Sequence, residues 1–435
     1  MQSGKKYNIA FFYKISEGEL HVALPLLKAI KESNSDVSIY FMFNDKAAYE
    51  GIGEISKLII NELGSLIVGD KNFYSYLLKN FKRETLIMTC DSGLRKWSKL
   101  AGKVISKNKL ILHAQAYALH GYFKLEEYYS KVKKYPIEKD FFKHLGDARP
   151  LLVLNSRYDA SFYAKLGVRA EEMMLAGAFG YTKWWSDYLL EISKSSRDFK
   201  SIVSLLENKK YESVIFVPTR RADRNKVLLT EENYNYLIES IFWLADNNPG
   251  FLFLLKPHPR ERALDYLKEK CNTSKHGNIV LVKENIILLS KFADLTVAFW
   301  GSAIQDSLSV GTPVIEFHRH EVEHFNLERA DDGSLVSLYH YLGFCPYITT
   351  KEELQDFLSN KQEWSEIQES SVLNFQKIFS IDDKTKNEFI ERINNIFLEL
   401  ESLPVNAIRS VFTINYYFLK NSLKRIYKIF FKYKN

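Results

Sequence analysis

Lys256, His258 and Arg260 stand in LKPHPRE (Leu255 to Glu261), three groups able to donate to phosphate on a loop stiffened by Pro257 and Pro259. The apolar run from Phe251 to Leu255 before them reads as a buried parallel strand. It puts the cluster at a strand's carboxyl end, the edge where open α/β sheets bind ligands. Further on, ADLTVAFWGSAIQDSLSVGTPVIEF (Ala293 to Phe317) predicts a strand from Leu295 to Phe299, a turn at Gly301 and Ser302, a helix from Ala303 to Val310, and a strand from Val314 to Phe317. The turn offers backbone N–H groups at a helix start, which suits phosphate. A strand, glycine turn and helix also serve as plain scaffold, so the basic loop carries the argument. Together the stretches predict one pocket for an activated phosphate donor.

Transfer from such a donor needs positive charge where the leaving diphosphate develops, and Arg220 and Arg221 of VPTRR join Lys256, His258 and Arg260 as candidates. An acceptor hydroxyl needs a base, for which the N-terminal half offers His21, Asp91, His113 and His120. His120 precedes Gly121, which admits close backbone approach, and is preferred. Asp91 follows a predicted strand in TCDSG, where a turn-capping role competes with a catalytic one. No Asp-x-Asp motif lies in a donor loop, and Asp331-Asp332-Gly333 reads as a solvated turn, so neither a metal nor another cofactor is expected. His318, His320 and His324, interleaved with Glu316, Glu321 and Glu323, have a metal site's composition but not a zinc spacing, and are expected in a polar loop beside the donor.

These residues need a scaffold, and 435 residues suffice for two domains. Charged residues at 26% and hydrophobic ones at 46% exclude a disordered chain. Three scattered cysteines, Cys90, Cys271 and Cys345, indicate neither a disulfide framework nor a zinc site and fit a reducing, cytoplasmic setting. Neither a signal peptide nor a transmembrane run is predicted. Strands at Tyr7 to Tyr13, Val37 to Phe43, Ser65 to Val68, Thr85 to Thr89, Lys109 to His113 and Leu151 to Leu154 alternate with helices, the first from Leu20 to Lys31. Gly121 to Asp147 breaks the alternation, as an active-site lid, an acceptor-facing insertion or a surface helix. After a polar approach from Glu191 to Lys210 the pattern resumes with Ser213 to Val217, a helix from Glu231 to Asn247, and Ile279 to Val282. The expectation is α/β, two facing Rossmann-like domains over 1–190 and 191–400 with a cleft between them.

In order along the chain, LHGYFK (Leu119 to Lys124), VPTRR (Val217 to Arg221), LKPHP (Leu255 to Pro259) and GSAIQD with GTPVIEF (Gly301 to Phe317) resemble the CDP-glycerol glycerophosphotransferases and capsule transferases of GT-B fold. The resemblance implies His120 as base, Arg220, His258 and Ser302 as phosphate ligands, and Asp306 on the donor ribose or orienting the loop. Thr219, Arg221, Lys256, Arg260, Gly301 and Gln305 complete the expected donor site. Gly301-Ser302 departs from that group's serine pair. The segment from Gly301 to Phe317 and the helix LHVALPLLKAI also resemble nonhydrolysing UDP-N-acetylglucosamine 2-epimerases. Their Thr-x-His-Arg signature is replaced here by Thr219-Arg220-Arg221, which disfavours epimerase activity. The implied activity is a metal-independent glycosyltransferase of capsule, lipopolysaccharide or teichoic-acid synthesis, with a nucleotide-activated sugar donor and a saccharide or lipid-linked acceptor. The alternatives are a CDP-polyol phosphotransferase and a UDP-sugar 2-epimerase-like enzyme.

The net charge of +7 belongs to one segment. Val405 to Asn435 holds Arg409, Lys420, Lys424, Arg425, Lys428, Lys432 and Lys434 without an acid. Phe412, Tyr416, Leu419, Leu423, Ile426, Phe430 and Tyr433 form one helical stripe through it, so 401–435 is expected to be a basic amphipathic helix. Two roles fit: lying on an anionic membrane at the inner face of the plasma membrane, or packing on the second domain. No nucleic-acid partner is expected.

Overall fold

The computed structural model describes residues 7–13, 17–43, 45–68, 85–90, 110–113, 150–165, 167–207, 211–220, 229–258, 261, 263–321 and 327–400. Its first sheet contains β1 (Tyr7–Phe12), β2 (Val37–Phe43), β3 (Gly64–Val68), β4 (Thr85–Cys90), β5 (Leu110–His113), β6 (Leu151–Leu154) and β7 (Met173–Leu175), in the spatial order β3-β2-β1-β4-β5-β6-β7. Every pairing is parallel. Parallel strands covered on both faces must be apolar throughout, and β4, TLIMTC, is buried at all six positions. After β1, helix α1 (Glu17–Ser33) opens on Glu17 and Glu19 and ends near Lys31, each sign matching its end of the helix dipole.

The second sheet repeats the plan with β8 (Ser213–Pro218), β9 (Phe251–Lys256), β10 (Ile279–Leu281), β11 (Leu295–Ala298) and β12 (Val314–Phe317). A hairpin, β13 (Leu327–Arg329) and β14 (Leu335–Ser337), stands apart, and β15 (Tyr347–Ile348) closes the sheet in the order β10-β9-β8-β11-β12-β15. Chain direction outward from the first strand reverses between β1 and β4 in one sheet and between β8 and β11 in the other. Such a reversal leaves a crevice at the strands' carboxyl ends.

The stretch from Glu191 to Lys210, expected as a polar approach, instead contains the helix Arg197–Glu207. Phe199 and Ile202 are buried, on a stripe that Val203 and Leu206 continue at helical spacing. Phe199 packs against Phe292 of the second domain with ring centroids 5.6 Å apart. Beyond the second sheet, the helix Lys361–Phe379 starts with Trp364 against Phe251 and ends with Phe375 and Phe379 against Tyr181. The chain then passes Gly177, which has a φ of +79° and where an added Cβ would fall 2.5 Å from Ile381 Cγ1, so only glycine fits. The helix Asp383–Leu400 lies back on the first domain, with Phe397 stacked on Tyr7 at 4.9 Å and Arg392 donating to the carbonyls of Glu171 and Met173.

Phe397 is 1% exposed, so Phe397→Ala removes a packed ring from this return contact. A loss of about 3–5 kcal/mol in urea unfolding is expected. A loss below about 1 kcal/mol would show that the helix is not needed by the first domain's core. No helix among the described residues is long and apolar enough to cross a membrane. The expected helix 401–435 lies outside the described residues.

Candidate active site

The residues that follow β8 and β11 flank the second sheet's crevice. Thr219 extends the ladder by donating its N–H to the Lys256 carbonyl at 2.9 Å, and its Oγ1 accepts from the His258 N–H at 3.2 Å. The loops after β8 and β9 are thereby tied together. Arg220 comes next, and its guanidinium lies 3.8 Å above the Trp300 ring at the end of β11. Trp300 has a φ of +82° and Gly301 one of +127°. For a bulky residue such a φ costs on the order of 1 kcal/mol, held here by the surrounding packing. Arg220 Nη1 stands 3.2 Å from where a Cβ on Gly301 would project, so glycine lets the cation come up to the turn. Ser302 is exposed and forms no side-chain cap on the helix that follows. That helix is Ala303–Leu308, shorter than the sequence predicts. Its dipole is correspondingly small, and the fixed charge at the turn comes from Arg220.

Gln305 and Asp306, expected among the donor contacts, are buried at 0% and 4% exposure. Gln305 Oε1 accepts from the Tyr181 hydroxyl of the first domain at 3.2 Å. Burial pushes the Asp306 carboxyl up to about 7, against the opposing pull of the Tyr181 hydroxyl and the Lys256 ammonium. Lys256 is half-buried, donates to the Lys283 carbonyl at 2.9 Å and feels the carboxylates of Glu17, Glu284 and Asp306. Burial still holds its ammonium below the ordinary lysine value. The structure thus brings Thr219, Arg220, Gly301 and Ser302 to one crevice, sets His258 beside it, and places Lys256 at the junction with the first domain.

His318 and His320, expected in a polar loop, are buried and lie face to face with ring centroids 4.1 Å apart. His320 Nε2 is 3.2 Å from Glu316, whose other oxygen accepts from Ser337. Both rings meet Trp300 edge to face, at 6.4 and 5.9 Å. Burial holds the His318 imidazole well below its ordinary value, with His320 and Arg220 pushing the same way, so this ring is neutral. Trp300 is therefore held by Arg220 over its ring and by the two histidines at edge-to-face contact. Sequence reading missed Trp300. The one available signal was an aromatic residue directly before a glycine at a strand end.

Across the junction, Glu17 Oε1 on α1 accepts from the Gly53 N–H at 2.9 Å and the Ser56 hydroxyl at 3.0 Å. One turn on, His21 Nε2 lies 3.4 Å from Asn285 Nδ2 of the second domain. Burial lowers the His21 value; Glu17 opposes this and Lys256 adds to it, which leaves a neutral imidazole at neutral pH. Pro25 cannot donate to the His21 carbonyl, so the helix is loosened at this residue. His113, also weighed as a base, is wholly buried on β5 and stacked on Phe11 at 5.7 Å, in the core of the first sheet. Asp91, His120, Arg221 and Arg260 lie outside the described residues.

Two parallel sheets with the same strand plan meet along a junction that carries polar groups from both. The chain has the GT-B fold. S. aureus MnaA, in a co-structure with UDP, superposes with a TM-score of 0.56 at 13% identity, covering 91% of this chain and 97% of that one. A Neisseria meningitidis UDP-GlcNAc 2-epimerase bound to UDP-GlcNAc gives 0.54 at 12%, covering 91% and 100%. The glycotransferase of kitacinnamycin gives 0.52 at 12%, covering 90% and 100%. No protein-family model and no curated protein sequence matches the chain. At these identities the GT-B likeness is one of fold.

Proposed function

We propose that this protein is a glycosyltransferase that takes a sugar from a nucleoside diphosphate, with uridine diphosphate the first candidate, and passes it to a hydroxyl of an envelope saccharide. The observation that carries the reading is Arg220, stacked on Trp300 and brought against Gly301 at the reversal between β8 and β11. A guanidinium fixed in this way presents a fork of donors to a diphosphate whose charge grows as the sugar leaves. On the opposite side, His21 is a neutral imidazole able to take the acceptor's proton. His120 and Asp91 are kept as alternative bases, on the strength of the sequence motifs. UDP in the S. aureus co-structure and UDP-GlcNAc in the N. meningitidis complex support the choice of uridine.

The first test is a binding panel of UDP-, CDP- and dTDP-sugars with CDP-glycerol, followed by turnover with and without saccharide acceptors. Release of UDP only when an acceptor is present supports transfer. Preference for CDP-glycerol would move the reading to a polyol phosphotransferase. Conversion of UDP-GlcNAc to its 2-epimer without an acceptor would replace it with an epimerase, the reading that the N. meningitidis likeness favours.

The basic stripe from Val405 to Asn435 supports a further element of the proposal, a peripheral site on anionic membrane where lipid-linked acceptors sit. Each basic residue near such a surface adds about 1 kcal/mol of attraction. Deleting Asn421 to Asn435 is expected to release the protein from phosphatidylserine liposomes at low salt while its unfolding midpoint stays unchanged. Equal binding by both chains leaves the stripe a packing role.

A further inference from the structure

Ser196 lies between the helices Lys183–Ser193 and Arg197–Glu207, on the passage from the first sheet to the second, and is wholly buried. Its Oγ accepts from the Phe199 N–H at 3.2 Å. The same oxygen stands 2.8 Å from a carboxyl oxygen of Glu54 and 2.8 Å from one of Glu284. Glu54 opens the helix Glu54–Leu63 of the first domain, and Glu284 follows β10 in the second. A serine hydroxyl has one proton to give and two lone pairs to receive. It can donate to one of the two carboxyls. The other reaches hydrogen-bond distance only by donating a proton of its own, which fills the second lone pair beside Phe199. Three contacts at one oxygen are therefore satisfied when the carboxyl pair holds a single proton. With both groups ionised, one carboxylate faces a lone pair and the two charges repel across the junction.

Glu284 is the keeper of that proton. It is 4% exposed, and burial raises its carboxyl above the ordinary value, helped by Asp198 and opposed by Ser196, the Asn285 N–H and Lys256. Glu54 is exposed and sits in the first turn of its helix. Lys256 is in turn balanced by Glu17 and Asp306, and Asn285, the next residue, meets His21.

We propose that Glu54, Ser196 and Glu284 form a clasp between the two domains that holds only while the carboxyl pair keeps one proton, so that losing the proton loosens the junction. A proton bound more tightly in the closed form favours closure at low pH. That advantage is lost as the pH rises through the raised value of Glu284. The clasp does not depend on the proposed reaction, and its test needs no substrate.

Spin labels at Lys46→Cys and Asp265→Cys, exposed positions on the first and second domains, report the separation in the full chain by pulsed electron resonance. Cys271, half-buried, is replaced by serine, and the buried Cys90 and Cys345 are left. Between about pH 5 and about pH 9 the single short distance of the wild type is expected to give way to a longer, broader distribution. In Glu284→Gln the amide N–H donates to Ser196 Oγ at every pH, so the short distance persists throughout. Glu54→Gln is expected to behave in the same way and covers the case in which the first variant misfolds. A wild-type distance that is constant over the range, or the wild-type transition retained in a folded Gln variant, overturns the clasp.

Discussion

Replacing Arg220 with alanine is expected to lower kcat/KM for a nucleotide-sugar donor about a hundredfold, near 3 kcal/mol of barrier, while the fold persists. Arg220 is half-buried and sits at the rim of its domain, where the ring of Trp300 holds it 3.8 Å away as a flat platform. Truncation leaves that ring bare but opens no cavity in the sheet below. Arg220→Lys should recover little, because an ammonium neither stacks flat nor grips a diphosphate with two parallel N–H groups. Steady-state kinetics over a donor series decides the matter. An unchanged kcat/KM in Arg220→Ala would remove the observation on which the proposed function stands.

Asp306→Asn should stabilise the protein at neutral and alkaline pH. The carboxyl is 4% exposed and rises from 3.8 to about 7 on folding, so between those values the folded chain holds a proton that the unfolded chain has released. A group raised in this way contributes stability below its unfolded value and loses it as the pH climbs through the folded one. At about 1.4 kcal/mol per unit, the decline across the window amounts to at most about 4 kcal/mol. The asparagine variant keeps the shape and the Tyr181 contact without the charge, so its advantage should grow from pH 4 to pH 7 and then level off. Urea midpoints of both proteins at several pH values supply the test, and a constant difference would mean that Asp306 does not titrate in this range.

How far the sequence disclosed this depends on the kind of interaction that shapes each part. Strands β2 and β12 and the helix Glu231–Asn247 have the bounds the sequence predicts, because apolar runs and their polar or proline breaks act locally. The helix Arg197–Glu207 was legible too, since Phe199, Ile202, Val203 and Leu206 stand at i, i+3, i+4 and i+7, although the polar residues around them obscured the stripe. At the site, Arg220 and Gly301 were named from motifs, and their adjacency follows from strand order. Trp300 could not be foreseen in its conformation, since tryptophan has no local preference for a positive φ and only tertiary packing imposes one. Lys256 and His258 looked equivalent on paper. In the structure they separate, because the strand ends at Lys256, whose ammonium reaches the Lys283 carbonyl, while the His258 N–H is tied to Thr219 Oγ1 in the loop that follows.

Among the described residues the chain passes between the domains twice, outward near Ser196 and back near Ile381, which packs at Gly177. Two tethers restrict the relative motion of the halves more than one would. A protease that cuts only one tether leaves both halves attached. A fragment stopped after the first sheet lacks the helix Asp383–Leu400 and uncovers Tyr7 and Phe179 where Phe397 and Phe389 sat. The first domain therefore becomes complete only once the second has been synthesised, and a ribosome stalled between them holds an adhesive, half-finished core.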